Sequence, residues 1–157
     1  MDSMSLISIN AYAKWSDVWP EGEPLFKQQW EEVRRNGEFL PFSVNARGMQ
    51  RLFDLNMMTI ATARVEKELV GYLFWFTVPC MESLGNLIAA MGPYFVLLEF
   101  GGAGKMLWNA SLERLKSIGV KAAYPHVSVW GERRDRVERF YTSVGAEPFE
   151  IKYELRL

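Results

Sequence analysis

The sequence predicts an α/β or α+β domain with a mixed sheet. Helix-like and strand-like hydrophobic periods alternate along the chain, and no linker, repeat or low-complexity tract divides its 157 residues. This length suits one compact core. We therefore expect one domain over residues 1–157, with a helical part over residues 1–56 and, over residues 57–157, a hairpin, a glycine-rich loop and an α/β core.

Helices are expected to dominate the first third of the chain. Residues 5–12 alternate only in part, which fits an edge strand or a mobile arm. Pro24 suits the first turn of a helix that should stop near residues 36–37. The buried face of this helix is marked by apolar residues at i, i+4 and i+7, namely Phe26, Trp30 and Val33. A second short helix is expected over residues 45–56.

The hydrophobic period changes near residue 58. Residues 58–65 and 68–78 are rich in β-branched and aromatic side chains, and the polar residues 66–67 between them predict a tight hairpin. Residues 92–93, a Gly-Pro pair, are expected to break the chain before a third strand over residues 94–98.

The C-terminal half alternates helices with strands. A helical period begins at about Ala103 and ends near residues 118–119. A strand is expected over residues 120–129, a helix over 133–143 and a closing strand over 149–157.

Composition narrows the function classes. Lys plus Arg number 18 against 19 for Asp plus Glu, which argues against a protein whose main task is to bind nucleic acid or an anionic membrane. No segment reaches the roughly 18 apolar residues of a membrane span. One cysteine, Cys80, cannot form an internal disulfide and fits a reducing, cytoplasmic setting. With His126 as the single histidine, no zinc site of the usual Cys/His kind, and no other metal site, is expected.

Aromatic side chains are abundant, at 14% of residues with six tryptophans. Three of the tryptophans lie in the polar N-terminal third: Trp15, Trp19 and Trp30. We expect some of them to line a groove or an interface. The exposed edge of a strand over residues 149–157, together with Phe26 and Trp30, suggests a homodimer.

The strongest local signal is a strand that runs through a glycine-rich turn into a helix. The turn reads Gly101, Gly102, Ala103, Gly104 and Lys105. Unpaired N–H groups at such a junction can hold a phosphate or pyrophosphate, and Lys105 can add charge. Glycine would permit both a close approach and backbone angles that are costly for other residues. The alternative is a turn whose glycines only let the helix pack on the sheet. Met106 after Lys105 excludes a P-loop.

From about residue 61 to residue 157 the chain resembles the GCN5-related N-acetyltransferase (GNAT) family. The family's loop pattern, Arg/Gln-x-x-Gly-x-Gly/Ala, is similar to residues 99–104, where both glycines match and Glu99 replaces the basic or amide residue. Phe140 and Tyr141 resemble the family's Phe-Tyr-x-x-x-Gly-Phe ending, with Ala146 in place of its last aromatic residue. The C-terminal tail is similar to GNAT proteins encoded by bacteriophages.

The resemblance implies a mostly antiparallel sheet flanked by helices, whose central strands splay apart around acetyl-CoA. The pyrophosphate would bind the backbone of Gly101, Gly102, Ala103, Gly104 and Lys105. Strand residues up to Leu97 and Leu98 would pair with the pantetheine, and an N–H near these two would stabilise the tetrahedral intermediate.

The resemblance also suggests how protons move. Tyr141 would protonate the departing thiolate, although its position on an apolar helix face also fits simple packing. His126, expected in the strand that flanks the gap, could take the proton of the attacking amine or be structural. Glu82 is another candidate base, and a solvated loop charge is its simpler interpretation.

Two functions are therefore open. The first is a cytoplasmic N-acetyltransferase that moves an acetyl group from acetyl-CoA to a primary amine of a small molecule or protein. The second is a non-catalytic GNAT-like interaction module, for example a phage protein acting on a host factor in the host cytoplasm. Glu99 and the tryptophan-rich N-terminus favour the second, and the glycines with Phe140 and Tyr141 favour the first.

Overall fold

The architecture comes from a computed structural model, which describes residues 6–33, 41–127, 132–148 and 150. The chain divides into two compact units. The first ends at His126 and contains a five-stranded sheet with its helices. The second begins at Val127 and contains the helix α4 (Glu132–Ser143).

The strands of the sheet lie in the order of the sequence. They are β1 (Ile7–Asn10), β2 (Met58–Val65), β3 (Glu68–Pro79), β4 (Leu87–Val96) and β5 (Val120–Tyr124). Neighbours from β1 to β4 are antiparallel, and β5 is parallel to β4 after the crossover helix α3 (Gly101–Ser117). The mixed, mostly antiparallel sheet is confirmed. The β2–β3 hairpin is confirmed too, with Glu66 at a φ of 55° in its turn.

Two helices cover one face of the sheet. They are α1 (Glu23–Val33) and α2 (Ala46–Asp54). Asn45 caps α2 by accepting a 2.9 Å hydrogen bond from the N–H of Gly48. Both helices were expected from the sequence, and the predicted stop at residues 36–37 lies outside the described residues.

The core under α1 is aromatic. Phe26 stacks on Tyr72 with ring centroids 4.5 Å apart, and Trp15 stacks on Trp19 at 5.9 Å. Trp15 is 3% exposed and Phe26 is 8% exposed. Trp15 is therefore a core residue, and the expectation that Phe26 forms part of a dimer surface is wrong. Both side chains bury their large apolar area in the sheet. That some of the N-terminal tryptophans line a groove or an interface stays a prediction.

The opposite face of the sheet packs against α3. Trp75 is fully buried, and its indole N–H donates to the hydroxyl of Ser111 at 3.1 Å. Gly71 lets the layers approach, because a Cβ there would lie 2.9 Å from a methyl of Val96 and 3.3 Å from one of Leu107. Every buried side-chain nitrogen and oxygen of the described residues has a hydrogen-bond partner.

The expected break at Gly92 and Pro93 is wrong, because β4 continues through both residues. The pairing register with β3 shifts here, so that the two residues together lie opposite Phe74 as a β-bulge. Proline is tolerated at a bulge, where its missing N–H breaks no regular pair. Glycine is required by space, since a Cβ on Gly92 would lie 2.7 Å from the ring of Phe76.

The C-terminal elements agree with the expectations only in part. β5 ends at Tyr124 instead of extending to residue 129, and residues 128–129 lie outside the described part. The helix over residues 133–143 is confirmed as α4. Of the closing strand expected over residues 149–157, only residue 150 lies in the described part, so the strand and the dimer edge that depends on it stay predictions.

Candidate functional site

The pairing of β4 changes along its length. β5 pairs with β4 only from Leu87 to Ala90, which lies opposite Tyr124. Pro125 follows, and it has no N–H with which to extend the ladder. β4 continues to Val96, and among the described residues no strand pairs with this second half on the side away from β3. We call this side the open edge of β4.

The open edge presents backbone groups of two residues. The N–H of Leu97 donates to the carbonyl of Val70 in β3 at 3.0 Å. Because backbone groups alternate in direction along a strand, those of Tyr94 and Val96 point away from β3. The N–H of Leu97 is therefore already used within the sheet. The expected N–H near Leu97 and Leu98 that stabilises a tetrahedral intermediate stays a prediction. Leu98 is 69% exposed and starts a single 3₁₀ turn, Leu98–Phe100.

The helix α3 starts directly after this turn, at Gly101 and not at Ala103. The N–H of Phe100 donates to the carbonyl of Leu97 at 2.9 Å. The next N–H groups, of Gly101, Gly102 and Ala103, are in the first helical turn, where no carbonyl of the helix can accept them. The N–H groups of Gly104 and Lys105 were also expected to bind the pyrophosphate, but they point along the helix instead. The unused N–H groups that an anion could bind are thus those of the first three residues of α3.

The glycines are not required by unusual backbone angles, contrary to the expectation. Gly101 has a φ of −52° and a ψ of −32°, which any residue adopts in a helix. A Cβ on Gly101 would meet no atom within 4 Å, whereas one on Gly104 would lie 3.1 Å from the hydroxyl oxygen of Tyr94. Gly104 therefore serves close packing, and the space beside Gly101 is open.

Tyr94 joins the open edge to α3. Its hydroxyl donates to the carbonyl of Gly104 at 2.8 Å. Burial raises the pKa of Tyr94, so the phenol stays protonated and remains a donor. Opposite charges flank the start of the helix, since Glu99 and Lys105 are both exposed. The helix dipole and Lys105 favour an anion here, and Glu99 opposes one.

The sequence analysis did not predict one polar contact of this region, which is made by Gln29. Gln29 of α1 bonds to the hydroxyl of Tyr72 and to the carbonyl of Tyr94. The available signal was its place three residues after Phe26, a polar residue on the apolar side of the helix.

The two predicted proton-transfer residues lie in different units. His126 is exposed, and it lies in a loop two residues after β5 rather than within a strand. Tyr141 is 8% exposed on α4, and its ring lies 5.9 Å from that of Phe140. Their roles stay predictions, as does that of Glu82, which is exposed in the β3–β4 loop.

Two general properties bear on the site. Within the described ranges, no group of three or more His, Cys, Asp and Glu side chains could hold a metal ion. None of the described helices has both the length and the apolar character needed to cross a membrane.

The fold of this chain is similar to that of several solved acetyltransferase structures. An aminoglycoside acetyltransferase from an uncultured soil metagenomic sample, solved with sisomicin, matches with a TM-score of 0.71 and 19% identity over 99% of both chains. The chain has the GNAT fold.

Other solved structures match over similar lengths. A ribosomal-protein-alanine N-acetyltransferase from Brucella melitensis gives a TM-score of 0.71 at 15% identity, over 96% of this chain and 99% of that one. A glucosamine-6-phosphate N-acetyltransferase from Arabidopsis thaliana gives 0.66 at 16% identity, over 96% and 97%. No protein-family profile and no curated protein sequence matches the chain.

Proposed function

We propose that the protein is an N-acetyltransferase that uses acetyl-CoA. The observation that carries the proposal is the junction of the open edge of β4 with the start of α3. The edge offers backbone groups that can pair with the two amides of pantetheine, and the N–H groups of Gly101, Gly102 and Ala103 can hold the pyrophosphate. One extended ligand with amides at one end and phosphates at the other fits this order.

The transfer itself would be a direct attack. A neutral amine attacks the thioester carbon, a C–N bond forms, the C–S bond breaks, and CoA leaves as a thiolate or thiol. The outward N–H of Tyr94, which lies farther from the start of α3 than Val96 does, would stabilise the oxyanion, since the N–H of Leu97 is used within the sheet. We keep Tyr141 as the proposed donor to sulfur and His126 as the proposed base for the amine.

We propose a primary amine of a small molecule or a protein as the acceptor. The solved enzymes of this fold are named for an aminoglycoside, a ribosomal-protein alanine and glucosamine 6-phosphate, each of which carries an amine. Their identities of 15 to 19% do not choose among these classes. The single cysteine supports a reducing, cytoplasmic location. The homodimer and the bacteriophage origin stay predictions.

Thermal unfolding with acetyl-CoA, and with adenosine as the control, tests the proposal. A ligand at 100 times its Kd that binds only the folded protein stabilises it by about 2.7 kcal/mol. Adenosine lacks the pyrophosphate and pantetheine and should give little shift. Equal shifts with the two ligands, or none with either, would count against the proposal.

Gly101 offers a sharper version of this test. Gly101→Asp puts a carboxylate at the start of α3, where a negative charge stabilises a helix by about 0.3–1 kcal/mol. The same carboxylate repels a pyrophosphate. The melting temperature should therefore hold or rise while acetyl-CoA affinity falls at least about tenfold, a loss of about 1.4 kcal/mol.

Gly101→Ala is the matched control, because its methyl group enters open space. It should keep acetyl-CoA affinity close to that of the unaltered protein. Unchanged acetyl-CoA affinity in Gly101→Asp would mean that the pyrophosphate does not bind at the start of α3. Binding of acetyl-CoA without transfer to any amine would indicate the non-catalytic module.

A further inference from the structure

The polar contact of Gln29 links α1 to the open edge of β4. The carboxamide oxygen Oε1 accepts a hydrogen bond from the hydroxyl of Tyr72 at 2.7 Å. The nitrogen Nε2 donates to the carbonyl of Tyr94 at 3.3 Å. Gln29 thus bridges a side chain of β3 and the backbone of β4.

The orientation of this carboxamide is fixed by its two partners. A backbone carbonyl only accepts, so the Tyr94 side must receive Nε2 and the Tyr72 side is left with Oε1. Tyr72 is fully buried, and burial, with a smaller contribution from Glu32, raises its pKa. Its phenol therefore stays protonated and can donate to Oε1.

The bonded carbonyl is one of the groups that point to the open edge, since Tyr94 and Val96 face away from β3. No neighbouring strand fixes this part of β4 from that side within the described residues. Gln29 supplies there the hydrogen bond that a neighbouring strand would otherwise make.

We infer that Gln29 is a positioning residue, which holds the Tyr94 peptide so that the open edge of β4 is aligned to receive the pantetheine of acetyl-CoA. This inference rests on the proposed function. It assigns α1 to the cofactor site through one side chain, although Gln29 itself need not touch the cofactor.

The experiment compares two ligands that differ by the whole acetyl-pantetheine arm. Acetyl-CoA binding depends on both the edge and the helix, whereas 3′-phospho-ADP, the half of CoA without pantetheine, depends on the helix and the adenosine contacts. Gln29→Met keeps the chain length and removes both hydrogen bonds. We expect acetyl-CoA affinity to fall about threefold to tenfold, as for one lost hydrogen bond, with 3′-phospho-ADP affinity unchanged.

Gln28→Met is the matched control, because Gln28 is the preceding, exposed residue and bonds to Glu32 at 3.1 Å. It should change neither affinity. Gln29→Glu keeps an acceptor for the Tyr72 hydroxyl but turns an oxygen toward the Tyr94 carbonyl. It should also weaken the binding of acetyl-CoA and leave that of 3′-phospho-ADP unchanged. This variant provides a second test if Gln29→Met folds poorly.

Two results would overturn the inference alone: unchanged acetyl-CoA affinity in Gln29→Met and Gln29→Glu, or an equal loss for both ligands, which a general loss of structure would give. Absence of acetyl-CoA binding by the unaltered protein would overturn the proposed function and this inference together.

Discussion

The two halves of β4 show how one strand can serve both the core and a site. From Leu87 to Ala90 the strand has a neighbour on each side, so its backbone hydrogen bonds are used within the sheet. From Gly92 to Val96 the only strand that pairs with it in the described part of the chain is β3. Backbone bonding capacity therefore remains in the second half, and a ligand with amide groups can use it.

The open half is nevertheless held from both faces of the sheet. On one face the hydroxyl of Tyr94 bonds to Gly104 in the first turn of α3, and on the other Gln29 bonds to the carbonyl of Tyr94. Side chains thus replace part of the support that β5 gives to the first half. A site can be unpaired without being loose, which lowers the cost of ordering it on binding.

The largest effect is expected from a substitution in the core beside the point where the two halves of β4 meet. Trp75 lies opposite Met91, and its ring packs 5.9 Å from that of Trp108. Trp75→Ala should lower the free energy of unfolding by about 3–5 kcal/mol, because it leaves a large cavity. It also removes the indole donor to Ser111, whose hydroxyl keeps its hydrogen bond to the carbonyl of Trp108. Urea unfolding measures this change. Leu84→Ala, at a fully exposed apolar side chain, should change stability by less than about 0.5 kcal/mol.

The second prediction tests whether Tyr141 takes part in the acetyl transfer proposed for the open half of β4. If Tyr141 protonates the departing thiolate, Tyr141→Phe should lower turnover by roughly 10²-fold once an acceptor is known. Acetyl-CoA affinity should fall far less, since most binding is assigned to the edge and the helix. Steady-state kinetics with calorimetry separates the two quantities. Turnover equal to that of the unaltered protein would assign the proton to water or to another residue.

A smaller effect is expected where the open half of β4 is held by α3, through the hydroxyl of Tyr94. Tyr94→Phe removes the hydrogen bond to Gly104 and leaves that carbonyl partly buried. The expected loss is about 1 kcal/mol of unfolding free energy. Tyr12→Phe is the control, because Tyr12 is 66% exposed and its ring can still stack under Arg114. A loss of the same size in both variants would mean that the Tyr94 bond adds no special stability.

The smallest effect lies away from β4 and depends on pH. Glu21 forms a two-pronged ion pair with Arg64 at 2.8 Å, and this hydrogen bonding lowers the pKa of Glu21 below its usual 4.5. A lowered pKa in the folded state gives stability that is present above about pH 4.5 and lost as pH falls further.

Glu21→Gln should therefore cost no more than about 1 kcal/mol at pH 7, since the pair is partly exposed. The cost should shrink toward pH 3, as urea unfolding at both values would show. Acetyl-CoA affinity should not change. A cost that persists at pH 3 would mean that packing, and not charge, is responsible.

The strands and helices were largely predictable because their signals are local. The β-branched and aromatic runs beside residues 66–67 give the hairpin, and Asn45 precedes α2 as a capping residue should. Gly92 and Pro93 misled because a Gly-Pro pair usually ends a strand. The bulge that admits them depends on pairing with Phe74, which no local pattern reveals.

The site was predictable in place and not in detail. The glycine-rich junction located the start of α3, but the turn over residues 98–100 shifts the free N–H groups toward Gly101. The direction of each β4 carbonyl follows from the register, which the bulge changes. The bond between Gln29 and Tyr94 joins residues 65 positions apart, so sequence periodicity could show only that a polar residue lies on a buried face.

The pairing of β1 with β2 has a consequence for how the chain acquires this structure. Ile7 lies opposite Val65, so both short helices are contained in the loop that this pair closes. The hairpin of β2 and β3, by contrast, closes over two residues. Since loop closure is slower and entropically costlier over longer separations, the hairpin can form early while β1 joins late. During synthesis β1 leaves the ribosome before β2 and must wait for this partner.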